Sequence, residues 1–203
     1  MEKSREIKYT YADYYSWNDG KRYELIDGDV YMMSPAPTSR HQEISINLVG
    51  QFYSYLKGKT CKVFAAPYDV RLNADAEDDT VVQPDISIIC DPSKIEQHGC
   101  VGAPDMIIEI LSPSSANRDQ ITQKKKYLEA GVKEYWIVDP GKRNVQVHLL
   151  VDGMYTRQFF RGGAAIAVQT LPGCHIHLAD VFPPGHPDED VKGPERYKMM
   201  GDE

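Results

Sequence analysis

The chain has 203 residues, 23 basic and 30 acidic side chains, a formal net charge of −7 and 41% hydrophobic residues. This composition excludes collagen-like, disordered and disulfide-scaffold classes, and the length fits one domain. No run approaches the roughly 18–20 apolar residues of a membrane-spanning helix and no leader-like stretch opens the chain, so a cytoplasmic protein with no membrane partner is expected.

Thr10 to Trp17 reads as a short helix capped by Thr10. RYELIDGDVYMMS follows, two alternating runs joined by Asp27-Gly28, a strong N-terminal β-hairpin signal. From Ser39 or Arg40 to about Lys57, Ile44, Leu48, Phe52 and Tyr55 recur at helical spacing, and Gly58 ends the helix. Lys62 to Leu72 reads as a strand broken near Pro67, before an acidic loop from Asn73 to Thr80. Asp85 to Cys90 (DISIIC) and Met106 to Leu111 (MIIEIL) are nearly all apolar, the pattern of buried strands.

A second helix is expected from about Asn117 to Ala130, with Gly131 beyond its end. With Ile121 as origin and about 100° per residue, Leu128 and Val132 share its apolar face. Lys124 and Lys125 then flank that face, and Lys126 points to water. Glu134 to Val138 is a further strand, and Val145 to Leu150 with Tyr155 to Phe160 form a C-terminal hairpin. A last short strand lies around Cys174 to Leu178. The order predicts a mixed α/β (α+β) domain built on one central sheet flanked by helices. It would span residues 1–183; residues 184–203, with six acids, three bases and repeated Pro and Gly, read as an acidic tail without a fixed fold. Cys61, Cys90, Cys100 and Cys174 show no ligand spacing and read as free, buried thiols of a reducing compartment.

Two carboxylates interrupt the apolar strands. Asp85 stands at the mouth of DISIIC, and Glu109 lies inside MIIEIL. A carboxylate in a central strand must meet a cation, a metal or hydrogen-bond donors to offset its desolvation. If the strands are neighbours, the two acids converge on a hard-oxygen site suited to Mg²⁺ or Mn²⁺; pairing of Glu109 with an arginine or lysine is the simpler alternative. Lys124 could reach that site and stabilise charge on a phosphate, or snorkel to solvent. Glu24, beside Leu25 and Ile26, is a further acid with apolar neighbours. His41 and Gln42 open the first long helix, where backbone donors favour anions, although His41 could equally be a cap or a surface residue. His175 and His177 share one strand face without a third metal ligand.

The blocks YELIDGDVYMMSPAPTSRHQ, QPDISII, IIEILSPSS and YLEAGVKEYWIVDP, in that order, resemble the Uma2 family. That family belongs to the PD-(D/E)XK restriction-endonuclease-like superfamily. The resemblance runs from about Tyr9 to Phe182 and implies the corresponding central mixed sheet. Pro84-Asp85 matches the superfamily's PD element and Glu109 its second acid. The lysine two residues after that acid is absent, since Leu111 stands there. Related proteins carry the basic residue on the following helix, at a position held here by Gln123, with Lys124 next.

The resemblance implies metal-dependent hydrolysis of DNA. Asp85 and Glu109 would hold Mg²⁺ or Mn²⁺, with Lys124 and Glu24 completing the catalytic set and His41, Gln42 and Lys125 contacting substrate. It also suggests a homodimer. The alternative is a catalytically impaired, nucleic-acid-binding or regulatory relative of the same fold. Net charge does not exclude a DNA partner, because three of the seven excess negative charges fall in residues 184–203. It predicts weak, salt-sensitive binding that leans on a local basic patch at Lys124 to Lys126.

Overall fold

The computed structural model describes residues 7–33, 36–74, 76–112 and 119–182. The first helix, α1 (Tyr11–Ser16), is capped at Thr10, whose backbone N–H donates to Asp13 at 2.8 Å. Strands β1 (Tyr23–Ile26) and β2 (Asp29–Met32) form the expected hairpin. Asp27 and Gly28 both take positive φ, 53° and 75°, the mirror-image turn whose twist suits paired strands. A Cβ on Gly28 would also come within 2.9 Å of the Lys8 side chain.

Helix α2 (Ser39–Leu56) buries Ile44, Leu48, Phe52 and Leu56, and Thr38 caps it by accepting from the His41 N–H. After it come β3 (Lys62–Ala65), β4 (Val70–Arg71), β5 (Val81–Val82) and β6 (Ile86–Ile89). A 3-10 turn at Pro92–Lys94 leads to β7 (Ile95–Glu96), β8 (Gly99–Val101) and β9 (Met106–Ile110). Then follow α3 (Asp119–Glu129), β10 (Glu134–Asp139), β11 (Asn144–Val151) and β12 (Met154–Arg161). The described chain closes with β13 (Ala165–Ala167), β14 (His175–His177) and α4 (Leu178–Val181).

The strands divide into two six-stranded sheets and a ribbon. The central sheet runs β12-β11-β10-β9-β6-β3, the second β2-β1-β5-β4-β8-β7, and β13 pairs with β14. Within the central sheet β9 and β10 are parallel, joined by α3 as a crossover, and the other pairings are antiparallel. Alternation then sends side chains to two cores. Ile86, Ile88, Met106, Ile108, Ile110, Trp136 and Val138 face α2, α4 and the ribbon. Ile89, Ile107, Tyr135 and Ile137 face Tyr127 and Val132 of the α3 region and Val70, Val82 and Cys100 of the second sheet.

The mixed α+β class is therefore as expected, but the expectation of one central sheet is corrected to two. The run from Lys62 to Leu72 breaks at Pro67, which is preceded by a cis peptide bond, and its halves β3 and β4 join different sheets. The two-residue strands β4, β5 and β7 are too short to show a period. A second correction concerns cysteine. Cys61 and Cys90 are joined in a disulfide, because the β3–β6 register that pairs Lys62 with Ile89 brings the next residues outward face to face. Cys100 and Cys174 are free and buried as expected. No helix among the described residues is long and apolar enough to cross a membrane. The acidic segment 184–203 and the start of the second helix at Asn117 lie outside the described residues.

Phe52 is fully buried beneath α2 with its ring centroid 6.0 Å from that of Trp136. Phe52→Ala should lower unfolding free energy by about 3–5 kcal/mol, the cost of lost apolar burial plus a cavity. Urea unfolding followed by circular dichroism measures this; a loss below about 1 kcal/mol would contradict the packing of α2 on the central sheet.

Candidate functional site

Asp85 precedes β6 by one residue, and Glu109 lies within β9. Extending the antiparallel register one step beyond the Ile86–Ile108 pair sets Asp85 directly opposite Glu109. Cβ atoms of such a pair lie about 5 Å apart. The two carboxylates therefore share the mouth of adjacent strands whose other positions are buried and, apart from Ser87, apolar.

Each acid has its own hydrogen-bond partners. Asp85 Oδ2 accepts from the backbone N–H of Ile110 at 2.7 Å. His41 Nε2 stands 3.3 Å from the same oxygen and 3.1 Å from the Ile110 carbonyl. Both neighbours are acceptors, so Nε2 carries the proton. Burial opposes a second proton on His41, but hydrogen bonding and the negative charge of Asp85 outweigh it and hold the pKa above its ordinary value.

Glu109 Oε1 accepts from the Tyr127 hydroxyl at 2.6 Å. Burial, followed by the negative charges of Asp85 and Glu24, holds the Glu109 carboxyl well above the ordinary carboxylate range, against the opposing Tyr127 bond. Tyr127 is fully buried. Burial and then the Glu109 and Glu24 charges push its hydroxyl well above its usual value, so it remains a donor. Glu24 Oε1 accepts from the Gln83 backbone N–H at 2.9 Å, and its Oε2 lies 3.4 Å from Gln123 Nε2.

The structure thus brings Asp85, Glu109 and Glu24 together, with His41 turned inward behind Asp85. Gln42 is exposed on the first turn of α2. Helix α3 is rotated relative to the expected face. Ile121 is 75% exposed while Tyr127 is fully enclosed, and the face that meets the sheet carries Tyr127 and Gln123. The aliphatic residues misled the assignment because Tyr127, which is long and has a hydroxyl for Glu109, is what the core takes. Lys126, expected in water, is only 17% exposed and is bridged to Asp27 at 2.7 Å and Glu129 at 2.9 Å. Lys125 is exposed and pairs with Glu129.

Lys124 lies within electrostatic reach of Arg157 and His148. Burial and the neighbouring Arg157 charge lower its pKa. Arg157 stands opposite His148 in the β11–β12 ladder, and His148 is buried against Tyr135 with ring centroids 5.7 Å apart. Tyr127, Gln83 and Gln123 are the participants in the carboxylate site that composition alone could not assign. The first is the tyrosine of the YLEAGVKEYW block.

The donor set of the three acids is all hard oxygen, and Asp85 and Glu109 each accept hydrogen bonds from protein donors. Among the described residues no group of three His, Cys, Asp or Glu is arranged to hold a metal by itself. The fit is to an ion such as Mg²⁺ that takes one or two carboxylates and keeps waters, not to a full protein cage.

The sequence matches a family described as "Uma2: Putative restriction endonuclease" over residues 11–179. The chain belongs to the Uma2 family. A crystal structure titled as a putative nuclease belonging to DUF820, from Anabaena variabilis ATCC 29413, shares its fold. The TM-score is 0.69 at 23% identity, over 86% of this chain and 97% of that one. The uncharacterized protein slr1290 of Synechocystis sp. (strain ATCC 27184 / PCC 6803 / Kazusa) is 26% identical over 110 residues. That match takes in 53% of this Uma2 chain and 56% of the relative.

Two predictions follow from the buried groups. Removing the Glu109 charge should stabilise the metal-free protein. A carboxyl whose folded pKa is raised contributes stability that is lost as pH rises, so Glu109→Gln should be more stable than the native chain at pH 8, with a smaller gain at pH 5. Urea midpoints at both pH values test this, and a loss of stability at pH 8 would refute it.

His148 behaves oppositely. Burial, then the charges of Lys124 and Arg157, push its pKa down to about 4. Its neutral form stabilises the fold fully above pH ~6.5, and the contribution, on the order of 3 kcal/mol, disappears as pH falls toward 4. His148→Phe should flatten that acid limb; an unchanged slope would show that His148 does not cause it.

Proposed function

We propose that this Uma2 chain is a divalent-metal-dependent endonuclease that hydrolyses DNA phosphodiester bonds. The observation that carries the reading is the facing pair Asp85 and Glu109, with Glu24 near enough for its charge, after burial and the charge of Asp85, to add to the raised Glu109 pKa. Such a cluster favours a cation, and the family description supports a nuclease.

Asp85 and Glu109 would hold Mg²⁺ or Mn²⁺, with Glu24 adding negative charge. When bound, the ion supplies an activated water and neutralises the scissile phosphate. The Tyr127 hydroxyl fixes one Glu109 oxygen and so orients the carboxyl group. His41 and the Ile110 N–H fix Asp85 in the same way, so His41 acts as a positioning residue. Gln123 occupies the position where the family resemblance places a basic residue. Its amide can orient Glu24 but carries no charge for the phosphate. Lys124 and Arg157, which no carboxylate among the described residues pairs with, offer cationic contacts for the DNA backbone along the α3–β12 edge.

Supercoiled plasmid incubated with Mg²⁺ or Mn²⁺ tests the proposal. The native chain should nick it slowly and stop when EDTA is added. Asp85→Asn should lower the rate by at least about 100-fold, and Gln123→Lys should raise it roughly tenfold by restoring charge at the phosphate. Equal cleavage by Asp85→Asn would assign the activity to a contaminant. Metal-independent DNA binding with no cleavage by either the native chain or Gln123→Lys would favour the impaired, binding-only alternative, which Gln123 itself motivates.

A further inference from the structure

Three rings meet at the N-terminal end of the second sheet. Trp17, the residue that ends α1, packs edge-on against Tyr9 at 5.5 Å and against Tyr23 at 5.3 Å, with interplanar angles of 79° in both cases. Tyr9 is pinned there because its N–H donates to the Gly28 carbonyl at 3.0 Å. Together with Asn18, Asp19 and Val30 these rings line a cavity of about 530 Å³ that is open on one side.

Among the described residues of the wall, one is charged, Asp19. Asp19 Oδ2 accepts from the Tyr23 hydroxyl at 2.5 Å, and Oδ1 accepts from the Lys21 backbone N–H at 3.0 Å. These bonds, the Tyr23 one foremost, hold the Asp19 carboxyl below its ordinary pKa, so it is ionised at neutral pH. The Lys21 ammonium lies 4.0 Å away at the outer limit of an ion pair, on a side chain 60% exposed, and is not part of the lining. Because successive residues of β1 face opposite ways, Tyr23 points away from the face that carries Glu24. The cavity is therefore separate from the carboxylate site.

We propose that this aromatic box binds an organic cation of the quaternary or methylated ammonium class. Ring faces carry partial negative charge and attract a cation within about 6 Å. Rings set nearly perpendicular form a corner that wraps a rounded, tetrahedral ammonium group. A nucleobase would instead need a parallel slot, and phosphate would be repelled by Asp19. A compact metal ion would find one carboxylate where it needs several oxygens. Bulk, positive charge and an apolar skin together match the lining.

Choline chloride titrated into the full chain tests the site through tryptophan fluorescence. The chain has two tryptophans, and Trp136 is fully buried, so a ligand at the box reports through Trp17. Saturable change with a Kd on the order of 1 mM is expected. The neutral isostere 3,3-dimethylbutanol should bind at least roughly fivefold more weakly, and Asp19→Asn should weaken choline binding about three- to tenfold. Asp19 is an exposed residue whose replacement keeps the hydrogen-bonding shape, so this variant should fold, and Trp17→Phe provides a second variant read by choline-observed NMR. Equal binding of the neutral isostere would overturn the proposal by showing an apolar pocket. Absence of a saturable response would also overturn it, as would a stronger response to dAMP than to choline, which would mark a base-stacking surface.

Discussion

The Glu109 carboxylate, held inside an apolar strand and facing a second acid, is the constraint around which this molecule is arranged. Leaving such a group buried and unmatched would cost several kcal/mol. The chain offsets that cost with donors: Tyr127 from α3 and the Asp85 backbone N–H at the strand mouth. Tyr127 can reach Glu109 only because α3 crosses over between parallel β9 and β10 and drops onto that face of the sheet. The crossover, the buried tyrosine and the elevated Glu109 pKa are one structural solution.

Asp85 is supported from the opposite core. Thr38 caps α2 at the turn that holds His41, and His41 reaches Asp85 beside the Ile110 carbonyl. Ile44, Leu48 and Phe52 of the same helix pack on Ile86, Ile108 and Ile110. The facing acids are thus positioned by two independent packing interfaces, one on each side of the central sheet. Shifting either helix would take a hydrogen-bond partner, His41 or Tyr127, away from one of the acids, which ties the polar environment of the site to the stability of both cores.

This division explains what could be read from residues alone. The hairpin was legible because Asp27-Gly28 is local turn chemistry. Helix α2 was legible because four apolar residues keep its period over 18 positions. DISIIC and MIIEIL were legible because strands buried on both faces must be apolar throughout, so their acids stood out. The orientation of α3 was not, since its buried residue is a tyrosine whose partner lies 18 residues earlier in the chain. Nor was the Cys61–Cys90 link, which depends on register between β3 and β6 rather than on cysteine spacing. The second sheet escaped because its short strands gain their identity only from one another.

Arg71 is matched to Asp78 and Glu96, Lys126 to Asp27 and Glu129, and Lys133 to Asp105. Most of the expected Lys124–Lys126 patch is therefore already neutralised by the fold. Lys124 and Arg157 have no such acidic partner among the described residues, and their charges add to burial in depressing the pKa of His148. At an ionic strength of about 0.1 M, charges farther than roughly 10 Å away are largely screened. A polyanion approaching the α3–β12 edge would consequently respond to the cationic pair and hardly at all to the net figure of −7.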